Sequence, residues 1–232
     1  DMGYAITSVV RAGQDTVGLI SKYKEISDFY NKSTSEYIDA TFLKNHDQNR
    51  ILSELDNNPD KARVAAGILL TLPGTPYIYY GEEIGMLGVK PDEYIREPFI
   101  WDEGKKDAEQ TSWETPKYST DQTVIPLSKQ KNDPNSLFNF YKKFINYRNS
   151  SSILTYGSIE NSPLQVREMV SFIRKNENGV LLIIHNISDV ELTLKREGEL
   201  ADFDEIDFTT NTGVTKNEDE LIIPAYTSII LK

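Results

Sequence analysis

Ile38-Asp39-Ala40-Thr41-Phe42-Leu43-Lys44-Asn45-His46-Asp47-Gln48-Asn49-Arg50 is the stretch on which the reading of this chain turns. Apolar residues alternate from Ile38 to Leu43, the pattern of a half-buried strand. The run then ends in an amide, an imidazole and a carboxylate at Asn45, His46 and Asp47, with the Arg50 guanidinium one short turn further on. In α/β barrels the groups that do chemistry stand at the carboxyl ends of strands. Two readings are open from the spacing alone. The polar residues converge on a site, or they form a turn in which Asp47 or Asn49 caps a short helix running through Leu55.

Working outward, apolar residues recur at helical spacing from Tyr4 to Tyr30, and Gly13 divides that segment into two helices. Asn58-Pro59-Asp60 supplies a cap and a proline for a helix over Lys61 to Leu72, which Pro73-Gly74 stops. Pro76-Tyr77-Ile78-Tyr79-Tyr80 reads as a second buried strand. Helix, strand, helix, strand with short connections is the order of βα units around a parallel sheet. Gly81 to Asp133 breaks it with a long polar loop that holds both tryptophans, Trp101 and Trp113. Loops of that length in compact domains are usually functional. Asp133-Pro134 opens a helix through Arg148.

From about Ser151 the pattern becomes all-β. Met169 to Lys175 and Val180 to Ile187 flank Asn178-Gly179, a hairpin signal. Glu191 to Lys195, Phe203 to Phe208, Glu220 to Ile223 and Tyr226 to Leu231 read as further short strands. The expected division is therefore an α/β part over residues 1–150 and an antiparallel β-sandwich over 151–232.

Composition narrows the partners. The chain has 232 residues, 38% hydrophobic and 26% charged, with a net charge of −11. An acidic chain with no basic stripe is not built for nucleic acid. Its longest apolar run, Val64 to Leu72, is too short to cross a bilayer. With Cys 0 there is neither a disulfide framework nor a thiolate metal site. The opening Asp1-Met2-Gly3-Tyr4 is already helical in pattern, so an upstream portion is expected.

Three further blocks carry a resemblance. Gly74-Thr75-Pro76-Tyr77-Ile78-Tyr79-Tyr80-Gly81-Glu82-Glu83-Ile84-Gly85-Met86, then Arg96-Glu97-Pro98-Phe99-Ile100-Trp101, then Leu137 to Arg148 follow Asn45-His46-Asp47 in fixed order. In that order and spacing the chain resembles the C-terminal portion of the α-amylase family of glycoside hydrolases. The resemblance implies the end of a (β/α)8 TIM barrel, strands seven and eight with helices six to eight, followed by the family's β-sandwich. It implies a retaining glycosidase acting on α-1,4-linked glucans of starch or maltooligosaccharides. Oligo-1,6-glucosidase, neopullulanase and glucanotransferase activities share these blocks, and the family also holds non-catalytic scaffold members.

The same resemblance assigns residues. Asp47 becomes the carboxylate that stabilises the transition state, with His46 and Asn45 binding substrate beside it and Arg50 as a further substrate-binding candidate. A retaining mechanism needs a nucleophile and an acid/base about 5–5.5 Å apart. The family takes both from its fourth and fifth strands, and neither motif occurs here, so this chain alone is expected to be inactive. Glu82 and Glu83 are adjacent and cannot both flank one glycosidic oxygen; the resemblance gives them a loop-ordering role. Trp101 is expected to pack within its loop, Trp113 is a candidate for a distal subsite, and His185 is expected to be structural. No metal or cofactor is expected in this portion, although the family often binds calcium through residues of earlier strands. The partners expected are an α-glucan and whatever covers the open sheet edge, either the remaining barrel half or a second copy. The resemblance points to a secreted bacterial setting.

Overall fold

The computed structural model describes residues 1–34, 37–164 and 166–232. Helix α1 (Met2–Ala12) begins at Asp1, whose carboxylate accepts from the Tyr4 N–H at 3.3 Å, and ends where Gly13 turns left-handed. Helix α2 (Leu19–Asn31) follows, its first N–H held by the Asp15 carboxylate. Helix α3 (Ile51–Glu54) is a single turn, and α4 (Pro59–Thr71) starts at Asn58, whose side chain accepts from Asp60 and Lys61. Short helices α5 (Asp92–Ile95) and α6 (Leu127–Gln130) punctuate the long loop before α7 (Leu137–Ser150) and α8 (Ser152–Tyr156).

The two expected barrel strands are present as extended chain with little ladder. Phe42 pairs in parallel with Tyr77, and the Thr75 and Tyr77 N–H groups donate to Asp39 and Thr41 carbonyls at 2.8 Å. Each segment has one neighbour among the described residues, so only alternate backbone groups find a partner. Neither segment therefore reaches the length read from the sequence. Gly74 makes the approach possible. Its φ is 87°, and a Cβ there would stand 2.4 Å from the Asp39 carbonyl oxygen. Helix α1 lies just as close on the other side, since a Cβ on Gly3 would meet the Phe42 carbonyl at 2.2 Å.

The helix expected from Asp133 starts four residues later. Asp133-Pro134-Asn135 forms a turn, the Ser136 N–H donates to the Asp133 carbonyl, and the Ser136 hydroxyl caps Asn139. The β region holds two antiparallel sheets. The larger has the order β1 (Ser158–Asn161), β2 (Met169–Asn176), β3 (Gly179–Asn186), β8 (Ser228–Leu231), β5 (Ile206–Thr209). The smaller has the order β4 (Leu192–Lys195), β7 (Glu220–Ile223), β6 (Thr215–Lys216). Strands β1 and β6 were not read from the sequence. The last strand begins at Ser228 rather than Tyr226 because Tyr226 adopts a φ of 48°, which breaks the extended chain. Strand β5 begins at Ile206 rather than Phe203; a 3-10 turn over Gly198–Asp202 precedes it and a register shift falls between Ile206 and Phe208.

One core joins the helices to the larger sheet. Ile6, Val9, Ile68, Leu69 and Phe144 pack with Phe172, Leu181, Ile183 and Ile230. The alternate residues of β3, Leu182 and Ile184, face Leu194, Leu221 and Ile223 of the smaller sheet. Burial on both faces explains why β3 reads as a continuous apolar run. Buried arginines seal the seam. Arg148 donates to the carbonyls of Leu70, Leu72 and Gly74 at the end of α4, and Arg174 donates to those of Thr71, Leu154, Gly157 and Ser158. His185, as expected from its place in a strand, is fully buried, with one ring nitrogen 3.0 Å from the Thr71 hydroxyl and the other 2.7 Å from Ser228. Burial pushes its pKa down to about 3, so the ring is neutral.

Candidate functional site

Where the first ladder segment ends, Asn45 folds its side chain back. Its Oδ1 accepts from the Asp47 N–H at 2.9 Å, an Asx turn that reverses the chain within three residues. The turn leaves Asn45 half-buried and throws His46 and Asp47 outward, their side chains 67% and 61% exposed. His46 Nε2 lies 3.4 Å from Asp47 Oδ2. The alternative read from the sequence, in which Asp47 or Asn49 caps α3, does not form. Helix α3 has no side-chain cap, and the Asn49 side chain bridges Glu54 and the Lys90 N–H instead.

A residue to which the sequence reading assigned no site role completes the arrangement. Arg96 donates from Nε to the His46 carbonyl at 2.9 Å and from Nη2 to Asp47 Oδ1 at 3.1 Å. The same Nη2 reaches Asp92 Oδ2 at 2.6 Å, and Lys90 takes the other Asp92 oxygen at 2.6 Å. The Lys90 hydrogen bond, with Arg96 behind it, holds the Asp92 carboxyl below the usual range. The signal was present in the sequence: Arg96 opens the Arg-x-Pro block, but nothing in that block says which carboxylate it meets.

Arg50 departs from expectation. Its residue exposure is 1%, so it offers no face to a sugar. The guanidinium carbon sits 4.8 and 4.6 Å from the ring centroids of Tyr79 and Tyr80, and Nη1 donates to the Tyr80 carbonyl at 2.6 Å. It belongs to the floor under the turn. The reason is local. The Arg50 N–H is bound to the Gly88 carbonyl at 2.9 Å, which aims the side chain inward between the two segments.

Glu82 and Glu83 also lie below the surface. Glu82 is buried, and desolvation raises its pKa to about 8, with Arg50 opposing and Glu83 adding to the rise. Glu83 is half-buried and raised for the same leading reason. Neither is an exposed carboxylate at the mouth. Glu97 anchors the long loop: its fully buried carboxylate accepts from the N–H groups of Lys117, Tyr118 and Ser119 at 2.6, 2.9 and 2.7 Å. Burial lowers the Lys44 pKa, with Glu54 and Glu82 working against it. With Ala40, Phe42, Asn45, Tyr77 and Tyr79, Lys44 lines an open hollow of about 290 Å³. Trp101 packs on Phe99 at 4.6 Å, whereas Trp113 is 56% exposed.

A strand end that presents an imidazole and a carboxylate, next to an open apolar hollow and followed by two antiparallel sheets, is an arrangement of the barrel-enzyme class. The comparisons name the family. Residues 7–157 match the family described as Alpha amylase, catalytic domain, and residues 169–230 match Alpha-amylase SusG C-terminal domain. The chain is 37% identical to Alpha-amylase 3 of Dictyoglomus thermophilum, over 95% of this chain and 44% of that protein. It is 31% identical to Alpha-amylase SusG of Bacteroides thetaiotaomicron, over 88% of this chain and 30% of that one. The crystal structure of the alpha-amylase from H. orenii superposes with a TM-score of 0.86 at 36% identity, covering 99% of this chain and 47% of that one. This chain belongs to the α-amylase family of glycoside hydrolases. It spans less than half the length of these relatives, and its fold is the end of the family's catalytic barrel followed by the antiparallel C-terminal domain.

Proposed function

We propose that this chain works as the C-terminal part of a retaining glycosidase that cleaves α-1,4-glucosidic bonds of starch or maltooligosaccharides. The observation that carries the reading is the exposed His46–Asp47 pair at the end of the first ladder segment, held there by Arg96. Asp47 grips the hydroxyls of the reacting sugar and stabilises the charge that develops on its ring, because its contacts strengthen in the transition state. His46 donates to a neighbouring hydroxyl, and Asn45 fixes the turn that presents both. The nucleophile and acid/base come from the barrel portion outside this chain, so the chain alone does not turn over starch. Specificity for α-1,6 links, or transfer rather than hydrolysis, is set largely by residues beside that missing pair.

The intact Asn45-His46-Asp47 turn favours an enzyme over a non-catalytic scaffold, which has no use for a preorganised carboxylate. Calcium, where the whole enzyme binds it, is held by residues of earlier strands. Among the described residues no group of three or more His, Asp or Glu side chains is arranged to hold a metal ion. No helix among the described residues is long and apolar enough to cross a membrane. A polymeric substrate such as starch favours action outside the cell. The test is reducing-sugar release from soluble starch, by this chain and by a barrel-complete enzyme that carries it. Turnover by the chain alone, well above a blank, contradicts the division of labour.

A further inference from the structure

We infer that Arg50 is the positioning residue of this site: it locks the turn that carries His46 and Asp47 to the loop that carries Arg96. Two segments meet here, residues 45–54 after the first ladder segment and residues 79–96 after the second. The Arg50 N–H donates to the Gly88 carbonyl, and the Gly88 N–H donates to the Ser53 hydroxyl at 2.9 Å. Asn49 Oδ1 accepts from Lys90 at 2.8 Å. The Arg50 guanidinium packs against the edge-to-face pair of Tyr79 and Tyr80 and binds the Tyr80 carbonyl. Those two rings are fixed from the far side, Tyr79 to the Ile95 carbonyl and Tyr80 to that of Glu97. Arg96 lies between those two anchor points. The Arg50 side chain thus ties the turn that carries His46 and Asp47 to the two rings that hold the chain on either side of Arg96.

The energetics separate positioning from simple stabilisation. Arg50 Nε and Nη2 are buried without a hydrogen-bond partner, and so are both oxygens of Glu82. Burying a charge with unfilled donors is unfavourable, and replacing such a group by an apolar side chain of similar volume is often neutral or stabilising. What an apolar side chain does not supply is the directed bond to Tyr80 and the fixed angle between the segments. Gly81 shows how closely the fit is drawn, since a Cβ there would meet Arg50 Nη1 at 3.0 Å.

The consequence for catalysis rests on the proposed roles of His46 and Asp47; the readout does not. The chain has 2 histidines, His46 in the turn and His185 in the core, so one NMR spectrum holds both a reporter and a fold control. The experiment compares Arg50→Met and Arg50→Lys with the parent chain by histidine-ring NMR and amide hydrogen exchange. In Arg50→Met we expect the His46 resonance to move and amides 45–49 to exchange about tenfold faster, while His185 and the α4 amides stay unchanged. Arg50→Lys, which keeps charge but not the planar fork, is expected to restore part of the parent pattern. An unaltered turn in Arg50→Met overturns the inference. So does uniform loosening of turn and core together, since Arg50 would then hold the fold and not the site. If Arg50→Met does not fold, Arg50→Lys is read by the same two criteria. A loosened turn in an enzyme that tolerates loss of Asp47 would retire the functional reading and leave this one intact.

Discussion

Arg96 Nη2 lies 3.1 Å from Asp47 Oδ1, joining the two loops at the mouth of the site through one guanidinium. Asp92 shares the same nitrogen at 2.6 Å, and the second oxygen of Asp47, Oδ2, faces His46 Nε2 at 3.4 Å. Both partners of the Arg96–Asp47 pair are exposed, which bounds what it contributes to stability.

Arg96→Ala is accordingly expected to separate stability from activity. The variant loses two exposed ion pairs worth about 0–1 kcal/mol each and one hydrogen bond of about 1 kcal/mol, so the thermal midpoint should fall by no more than about 10 °C. In a barrel-complete enzyme kcat/KM is expected to drop by about a hundredfold, because Asp47 loses its fixed orientation. Calorimetry and maltooligosaccharide kinetics check the two halves. A large stability loss, or unchanged kinetics, contradicts this role.

Glu82 predicts a stability slope with pH. Its folded pKa of about 8 lies above its unfolded value, so the folded state holds the proton more tightly. The contribution is complete below about pH 4.5 and is lost as pH rises through about 8. Glu82→Gln keeps the shape and abolishes the charge. It should match the parent at low pH and exceed it near pH 9 by an amount on the order of a few kcal/mol. Urea midpoints from pH 5 to pH 9 measure the difference, and parallel curves for the two proteins contradict it.

Arg174 predicts cooperativity. It donates to four carbonyls, Thr71 at the end of α4, Leu154 in α8, and Gly157 and Ser158 beyond it. Burial, with Arg148 adding to the fall, lowers its pKa to about 9, which leaves it charged at neutral pH. Arg174→Met leaves those carbonyls unpaired and should cost about 3–5 kcal/mol. We expect one urea transition for the parent and separate steps for the helical and β regions in Arg174→Met. A loss under about 1 kcal/mol with one transition retained goes against the seam as a shared element.

The parts that were legible in the sequence were those fixed by local rules. Asn58-Pro59 named the start of α4, Gly13 the end of α1, and Asn178-Gly179 the β2–β3 hairpin, since caps and turns depend on a few neighbouring residues. The parts that were not legible depend on distant partners. Strand β6 is two residues long and exists only because β7 lies beside it. Tyr226 breaks its strand through a φ that no propensity announces. At the site, the Asn45-His46-Asp47 turn could be read, whereas the Arg96–Asp47 contact spans 49 positions and depends on how the long loop folds back. Arg50 was misplaced for the same reason. Its position after Asp47 suggests the mouth, and only the Gly88 and Tyr80 carbonyls reveal that it points into the floor.

Asp47→Asn in a barrel-complete enzyme tests the central claim most directly, because it removes the charge and keeps the shape. Steady-state kinetics on maltooligosaccharides should show kcat lowered by about 10²–10³-fold with a smaller change in KM, the mark of a contact made chiefly in the transition state. Near-normal turnover would contradict the account.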